Sequence, residues 1–217
     1  MNILRYVFSL IFPDKCACCE ELIFENKIVC NRCFDSLIVD GEKFEVSDNF
    51  NKCKIYCVSP FEYKDFVREM VLKFKFKNRL GLCKFFAEEM SKCAYRYYKN
   101  IDVITYVPMP YFKKIIRKYD QCEFLSCELS NIMDIPCKKL LSAVSVDKEQ
   151  HNLSASERNA NVKGLYKVSP FARINGKNIL LVDDVCTTGS TLRECSEILI
   201  KNGAKSVNCI TAAHTRK

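Results

Sequence analysis

The stretch LLVDDVCTTGSTLRE at residues 180–194 limits the fold more tightly than any other part of the chain. The apolar run at 178–182 suits a strand buried on both faces of a parallel sheet, where no polar alternation is needed. Leu192, Cys195, Ile198 and Leu199 then recur at helical spacing, and Asn202-Gly203 is a helix stop. The order is strand, loop, helix, and in open α/β sheets ligands sit at the carboxyl ends of such strands. Between strand and helix stand two adjacent acids, Asp183 and Asp184. After them come four hydroxyl residues, Thr187, Thr188, Ser190 and Thr191, around Gly189.

That loop sits at a helix start, where free N–H groups and the positive dipole end favour a phosphate. Gly189 lets the backbone approach closely, and the hydroxyls add donors. The acids then need a partner other than phosphate, and carboxylates accept hydrogen bonds strongly from hydroxyls such as those of a ribose. A sugar over Asp183 and Asp184, with its 5′-phosphate in the loop, satisfies both halves. The plainer alternative is a capped helix with an acid pair facing solvent, but acids beside an empty anion site gain little. The 6 glycines allow neither G-x-G-x-x-G nor a P-loop pattern. The stretch resembles the phosphoribosyl-pyrophosphate (PRPP) signature of type I phosphoribosyltransferases: apolar residues, two acids, then a Thr-Thr-Gly-x-Thr loop.

A chain of 217 residues supports one medium domain, or one domain with a small appendage. With 48% hydrophobic and 12% aromatic residues it can bury a full core. A net charge of +8 favours polyanions, but 34 basic and 26 acidic residues leave both signs abundant, so charge alone does not assign nucleic-acid binding. Most of the 15 cysteines are scattered at apolar periodic positions, such as Cys83, Cys93, Cys122, Cys127, Cys195 and Cys209. They read as small buried hydrophobes in a reducing compartment, so a cytoplasmic location is expected. The opening MNILRYVFSLIF holds Arg5, lacks a small-residue cleavage site and is too short to span a bilayer. It reads as an amphipathic helix packing on the body.

Two C-x-x-C pairs, Cys16/Cys19 and Cys30/Cys33, stand ten residues apart. Each can form a tight knuckle, and four thiolates close a tetrahedral structural zinc site with no open position. The intervening EELIFENKIV reads as a short hairpin, and Cys18 as a spare thiol able to compete for the metal. Cys53 and Cys57 read as core thiols. Between Phe66 and Met90 helical spacing is interrupted near residues 78–81. Lys73, Lys75 and Lys77 alternate there with Phe74 and Phe76, a pattern that can hold phosphates while rings stack on bases. The alternative sends the rings to the core and the lysines to water.

The strand DVITYVPMP ends at Pro108, Met109 and Pro110, pointing to the same sheet edge as Asp183, where a rigid loop can meet the pyrophosphate end of the ligand. Lys113, Lys114, Arg117 and Lys118 follow, suited to the same group. The polar segment at 145–168 reads as a mobile loop or hairpin able to close over a reactive sugar, with Arg158 the cation to reach the ligand. His151 and His214 receive no role.

The whole order resembles the ComF family, which joins an N-terminal zinc ribbon to a type I phosphoribosyltransferase fold, a parallel twisted α/β sheet flanked by helices, with a flap. The matching pieces are Phe12-Pro13 before Cys16 and Cys19, the Leu72-Lys73-Phe74 helix end, the proline-flanked loop, RKYDQ at 117–121, QHNLSASERNANVKGLY at 150–166, and the acid-pair loop. The family usually has Arg-Gly-Phe-Asn-Gln where this chain has Lys118 and Asp120 within RKYDQ. The resemblance implies an N-terminal helix and zinc ribbon over 1–45 and a phosphoribosyltransferase-like domain over 46–217. It implies a role in natural competence and DNA uptake, handling single-stranded DNA in the cytoplasm alongside a competence helicase or uptake proteins, with PRPP and Mg²⁺ at the site. In that reading the 5′-phosphate lies on Thr187, Thr188, Gly189, Ser190 and Thr191, and the ribose on Asp183 and Asp184. The pyrophosphate faces Pro108, Met109, Pro110, Arg117 and Arg158. Whether the site turns over stays open. The alternative is a phosphoribosyltransferase of nucleotide or related metabolism, acting on a base or amine acceptor, with no DNA role.

Overall fold

The apolar run at 178–182 lies inside a six-stranded sheet and is buried on both faces, as its lack of polar alternation requires. This computed structural model describes residues 14–23, 27–37, 41–46, 54–76, 80–110, 119–144 and 164–216. In chain order the elements are β1 (Asp14–Lys15), β2 (Leu22–Ile23), α1 (Asn31–Ser36), β3 (Glu42–Glu45), β4 (Tyr56–Ser59) and β5 (Phe61–Glu62). Then follow α2 (Asp65–Phe76), α3 (Leu80–Tyr97), β6 (Val103–Tyr106), α4 (Gln121–Met133), β7 (Leu141–Ala143), β8 (Tyr166–Val168), β9 (Asn178–Cys186), α5 (Ser190–Lys201) and β10 (Ser206–His214).

The main sheet runs β3-β4-β10-β9-β6, with β5 also paired to β10. Every pairing is parallel except β3 with β4. Alternate residues of β9 feed two cores. Leu180 and Val182 meet α2, α3 and α4 through Phe74, Phe86 and Leu125, whereas Ile179 and Leu181 meet Leu192, Cys195 and Leu199 of α5. Each such side chain contributes roughly 1.5–3 kcal/mol when removed from water. Because β6 and β9 are parallel and Tyr106 registers with Val182, the chain leaving β6 at Val107 and Pro108 emerges beside Asp183.

The sheet reaches back to Glu42, ahead of the boundary between residues 45 and 46 expected from sequence. β1 and β2 pair across the first knuckle, Asp14 with Ile23 and Lys15 with Leu22, and residues 24–26 of the expected hairpin lie outside the described residues. Six cysteines were placed in the core by periodicity, and Cys127 departs from that reading: it is exposed, on the outer face of α4. The buried stripe of α2 is Val67, Met70, Val71 and Phe74, which leaves Phe66 45% exposed at its edge and Phe76 60% exposed. The polar segment at 145–168 is rooted in the antiparallel β7–β8 pair. The N-terminal dozen residues, Cys53, His151 and the segment 145–163 lie outside the described residues. No helix among the described residues is long and apolar enough to cross a membrane.

Candidate functional site

Strand β9 does not stop at the acids but continues through them to Cys186, so Asp183 and Asp184 are held in extended backbone at the carboxyl end of the sheet. Asp183 Oδ1 accepts from the Asp184 N–H at 2.8 Å and from the Cys122 thiol at 3.2 Å. Burial, followed by the neighbouring Asp184 charge, pushes the Asp183 carboxyl up to about 7. Burial also raises the Cys122 thiol, with the Asp183 charge adding to it, so the sulfur remains a proton donor to the carboxylate. Sequence periodicity read Cys122 as a core thiol and missed this contact.

The loop that follows is built for an anion. Gly189 caps α5 at φ +76° and offers no side-chain hydrogen bond; Ser190 N donates weakly to Thr188 Oγ1 at 3.4 Å, and the start of this twelve-residue helix faces a recess lined by Asp183, Thr187, Thr188, Ser190 and Thr191. The far end anchors the loop: Thr215 N donates to Cys186 O at 2.9 Å, and its hydroxyl to Thr187 O at 3.2 Å. A Cβ on Gly189 would lie 3.1 Å from both Cβ and Cγ1 of Val46, in a backbone region that L side chains rarely adopt. Gly189→Ala is expected to lose about 1–2 kcal/mol. In a chain of this size that lowers the melting temperature by roughly 2–8 °C in a thermal melt.

Lys75 is a second residue whose contact with the acids the sequence does not display. It was grouped with Lys73 and Lys77 as a nucleic-acid contact, but its Nζ lies 2.9 Å from Asp184 Oδ1, with both side chains about six-sevenths buried at 15% and 13% exposure. Burial pulls the ammonium down, yet the Asp184 and Asp183 carboxylates outweigh it and raise it overall. The end of α2 is clamped to bring this about. The Tyr119 hydroxyl donates to Phe74 O, and the Gln121 amide donates to Lys75 O at 3.2 Å, serving carbonyls of the last helical turn that lack helical partners. Lys73 is also not free for DNA: it donates to Ala17 O at 3.0 Å and pairs with Glu20 at 3.2 Å, on the first cysteine knuckle. Of this stretch, Lys73 and Lys75 have partners within the chain, and Phe74 enters the core while Phe76 stays exposed. Lys77 lies outside the described residues, as do Arg117, Lys118 and Arg158. Lys75→Met should leave the largely buried Asp184 without its cation. The expected cost is on the order of 1–3 kcal/mol in a denaturant melt, and it should shrink in the Lys75→Met, Asp184→Asn pair.

The departure at Asp120 has a local use. Its Oδ1 accepts from Cys122 N at 3.2 Å and Glu123 N at 3.4 Å, capping α4, while Oδ2 accepts from Met109 N at 3.1 Å. An asparagine has only one acceptor atom on its amide, whereas the carboxylate ties the proline-flanked loop to the helix start with both oxygens. Pro108, Met109 and Pro110 are thereby fixed beside the end of β9.

Cys16, Cys19, Cys30 and Cys33 come together with their sulfurs all within 4.8 Å of one another. Zinc–sulfur bonds of about 2.3 Å in a tetrahedron require sulfurs roughly 3.8 Å apart, and Cys19 and Cys30 are separated by 3.8 Å. Backbone N–H groups already point at the sulfurs, Cys30 N to Cys16 Sγ at 3.3 Å and Cys33 N to Cys30 Sγ at 3.4 Å. Burial opposes ionisation of Cys16, but N–H donors from Cys30, Cys19 and Cys18 overcome it and hold the thiol down at about 6. Burial raises the Cys33 thiol instead, so it is the spacing of the four sulfurs that fits a thiophilic tetrahedral cation. Cys18 meets Met70 Sδ at 3.1 Å under α2 and is not one of the four clustered sulfurs.

The phosphoribosyl transferase domain family matches residues 120–217. Competence protein F of Haemophilus influenzae is 32% identical over 151 residues, which cover 64% of this chain and 63% of that protein. DNA utilization protein YhgH of Escherichia coli K12 is 31% identical over 107 residues, 49% of this chain and 46% of that protein. Competence protein ComFC of Bacillus subtilis is 25% identical over 155 residues, 70% of this chain and 62% of that protein. The chain thus spans less than two thirds of the length of the curated relatives it matches.

Proposed function

Since this chain belongs to the ComF family and carries the type I phosphoribosyltransferase fold, we propose that it binds PRPP at the end of β9 and acts in DNA uptake, handling single-stranded DNA. One observation carries the ligand: the N-terminus of α5, which Gly189 leaves without a side-chain cap, opens onto a recess lined by Asp183, with the largely buried Asp184 next to it in the chain. The 5′-phosphate takes the N–H groups and hydroxyls of Thr187, Thr188, Gly189, Ser190 and Thr191, and the ribose diol donates to Asp183 and Asp184. Lys75, with its Nζ 2.9 Å from Asp184 Oδ1, holds that carboxylate in position. The pyrophosphate faces Pro108, Met109 and Pro110, with Arg117 and Arg158 the cations assigned to it. The chain offers two carboxylates rather than an oxygen cage, which suits an Mg²⁺ brought in largely on the ligand's own oxygens, where it neutralises the pyrophosphate.

Among the described residues no side chain is assigned the role of nucleophile. Any transfer would rest on positioning and on charge stabilisation as pyrophosphate departs. The four-cysteine knuckle holds a structural zinc ion. The competence and DNA-utilization names of the relatives support the DNA role, and the cytoplasm is where a reduced thiol set of this kind is maintained. A thermal-shift series tests the ligand. Magnesium with PRPP at about a hundred times its dissociation constant should stabilise the chain by about 2.7 kcal/mol. An unchanged melting curve would reject the reading.

A further inference from the structure

Away from the phosphoribosyl site, one turn is both strained and bare. Beyond the β7–β8 pair, Ser169 N donates to Leu140 O at 2.9 Å, and Ala172 N donates to Ser169 O at 3.2 Å, closing a turn over Ser169, Pro170, Phe171 and Ala172. Phe171 takes the third position at φ +64°, which type II turns give to Gly or Asn because a Cβ crowds the following carbonyl. Its side chain is 99% exposed, so no packing offsets that strain. Strain without burial points to a contact made outside the chain.

The surroundings are basic. Residues 135–144 and 164–178 carry Lys138, Lys139, Lys167, Arg173 and Lys177, all exposed, and no Asp or Glu. Lys139 adjoins Leu140, the residue bonded to Ser169, so Lys138 and Lys139 run alongside the turn. Lys167 and Arg173 stand two residues from Ser169 and Phe171 respectively. Among the described residues, none of Lys138, Lys139, Lys167 and Arg173 pairs with a carboxylate. The acids of α5, which packs against β8, are engaged elsewhere: Glu194 accepts from Gly164 N at 2.6 Å, and Glu197 pairs with Lys201 at 3.9 Å.

An outward aromatic ring among unpaired cations is the chemistry of single-strand recognition, in which a base stacks on the ring and phosphates meet the cations. Paired bases would have to unstack to reach the ring, so duplex is disfavoured. We infer that the Ser169–Ala172 turn, with Lys139, Lys167 and Arg173, is a docking surface for single-stranded DNA. The inference rests on the DNA-handling reading above and gives it a surface, in place of Lys73 and Lys75, whose charges are spent within the chain.

Fluorescence anisotropy of the full chain with a labelled oligothymidylate strand tests it. Phe171→Gly should weaken binding about tenfold, the loss of one stacked base, while melting no lower than wild type because glycine accepts the positive φ without strain. Replacing Lys139, Lys167 and Arg173 together by Gln should flatten the slope of log affinity against log salt by about 2. Wild-type binding that both variants retain unchanged overturns the surface and leaves the DNA reading standing. A Phe171→Gly chain that melts lower and loses binding makes the ring structural and also overturns it. A wild-type chain that binds no strand at all removes the DNA reading itself.

Discussion

Serine in place of Cys16 should release the metal and cost the protein more stability than any other single change considered. A four-thiolate site holds zinc at roughly 10–16 kcal/mol apparent in isolated finger peptides, and removing one ligand opens the tetrahedron. The loss would not stay local. Ala17, Ile23, Val29 and Leu37, all buried, pack in one continuous cluster with Met70, Phe74 and Phe86. Lys73 ties its ammonium to the knuckle carbonyl of Ala17. About 3–5 kcal/mol of that coupling appearing at the whole chain would lower the melting temperature by on the order of 10 °C. Elemental analysis should find one zinc per chain in wild type and less than a tenth in Cys16→Ser. Cys18→Ala is the control: its sulfur meets Met70 and is not among the four clustered sulfurs, so full metal content should persist. Metal loss in both variants, or in neither, would contradict the assignment.

Asn at both 183 and 184 should reduce affinity for magnesium-bound PRPP by at least about a hundredfold. Two charge-assisted hydrogen bonds to the diol, each worth roughly 1.5–3 kcal/mol, disappear together. Stability should move the other way for Asp183→Asn alone. The folded carboxyl titrates near 7, above an unfolded value of about 3.9. Between those two limits the folded state binds the extra proton, so this group's contribution to stability is full below about 4 and is lost as pH rises through 7. Asp183→Asn lacks that slope and should be at least as stable as wild type at pH 8 while binding PRPP worse. Denaturant melts at pH 5 and 8, set beside binding isotherms, separate the two effects. A variant less stable at pH 8 would show that burial of the carboxyl is not a cost to the fold.

The parts legible in the sequence are those whose signal is contiguous. The β9 run, the acid pair, the hydroxyl loop and the α5 stripe occupy residues 178–201 without interruption, and their periodicity changes once, from strand to helix. The two C-x-x-C pairs are likewise short-range. Lys75 and Cys122 escaped because they reach Asp184 and Asp183 across 109 and 61 residues. Nothing in KFKFK distinguishes the lysine aimed at the acids from the one aimed at the knuckle. On a helix, positions 73 and 75 point about 200° apart, so the alternation that suggested one basic face describes two opposite ones. Asp120 looked like a defect in the family pattern because its use lies in a backbone N–H of Met109, and a one-dimensional motif does not display that partner.

The central claim is that a sugar phosphate is held at the end of β9 with acids on its diol and helix N–H groups on its tail. Titration calorimetry of PRPP with excess Mg²⁺ into the zinc-loaded full chain tests it most directly. The account predicts one saturable site with a dissociation constant below about 1 mM, weakened in the Asp183→Asn, Asp184→Asn chain and in Gly189→Ala. Absence of saturable heat with both PRPP and ribose 5-phosphate, from a chain that melts cooperatively, would contradict it.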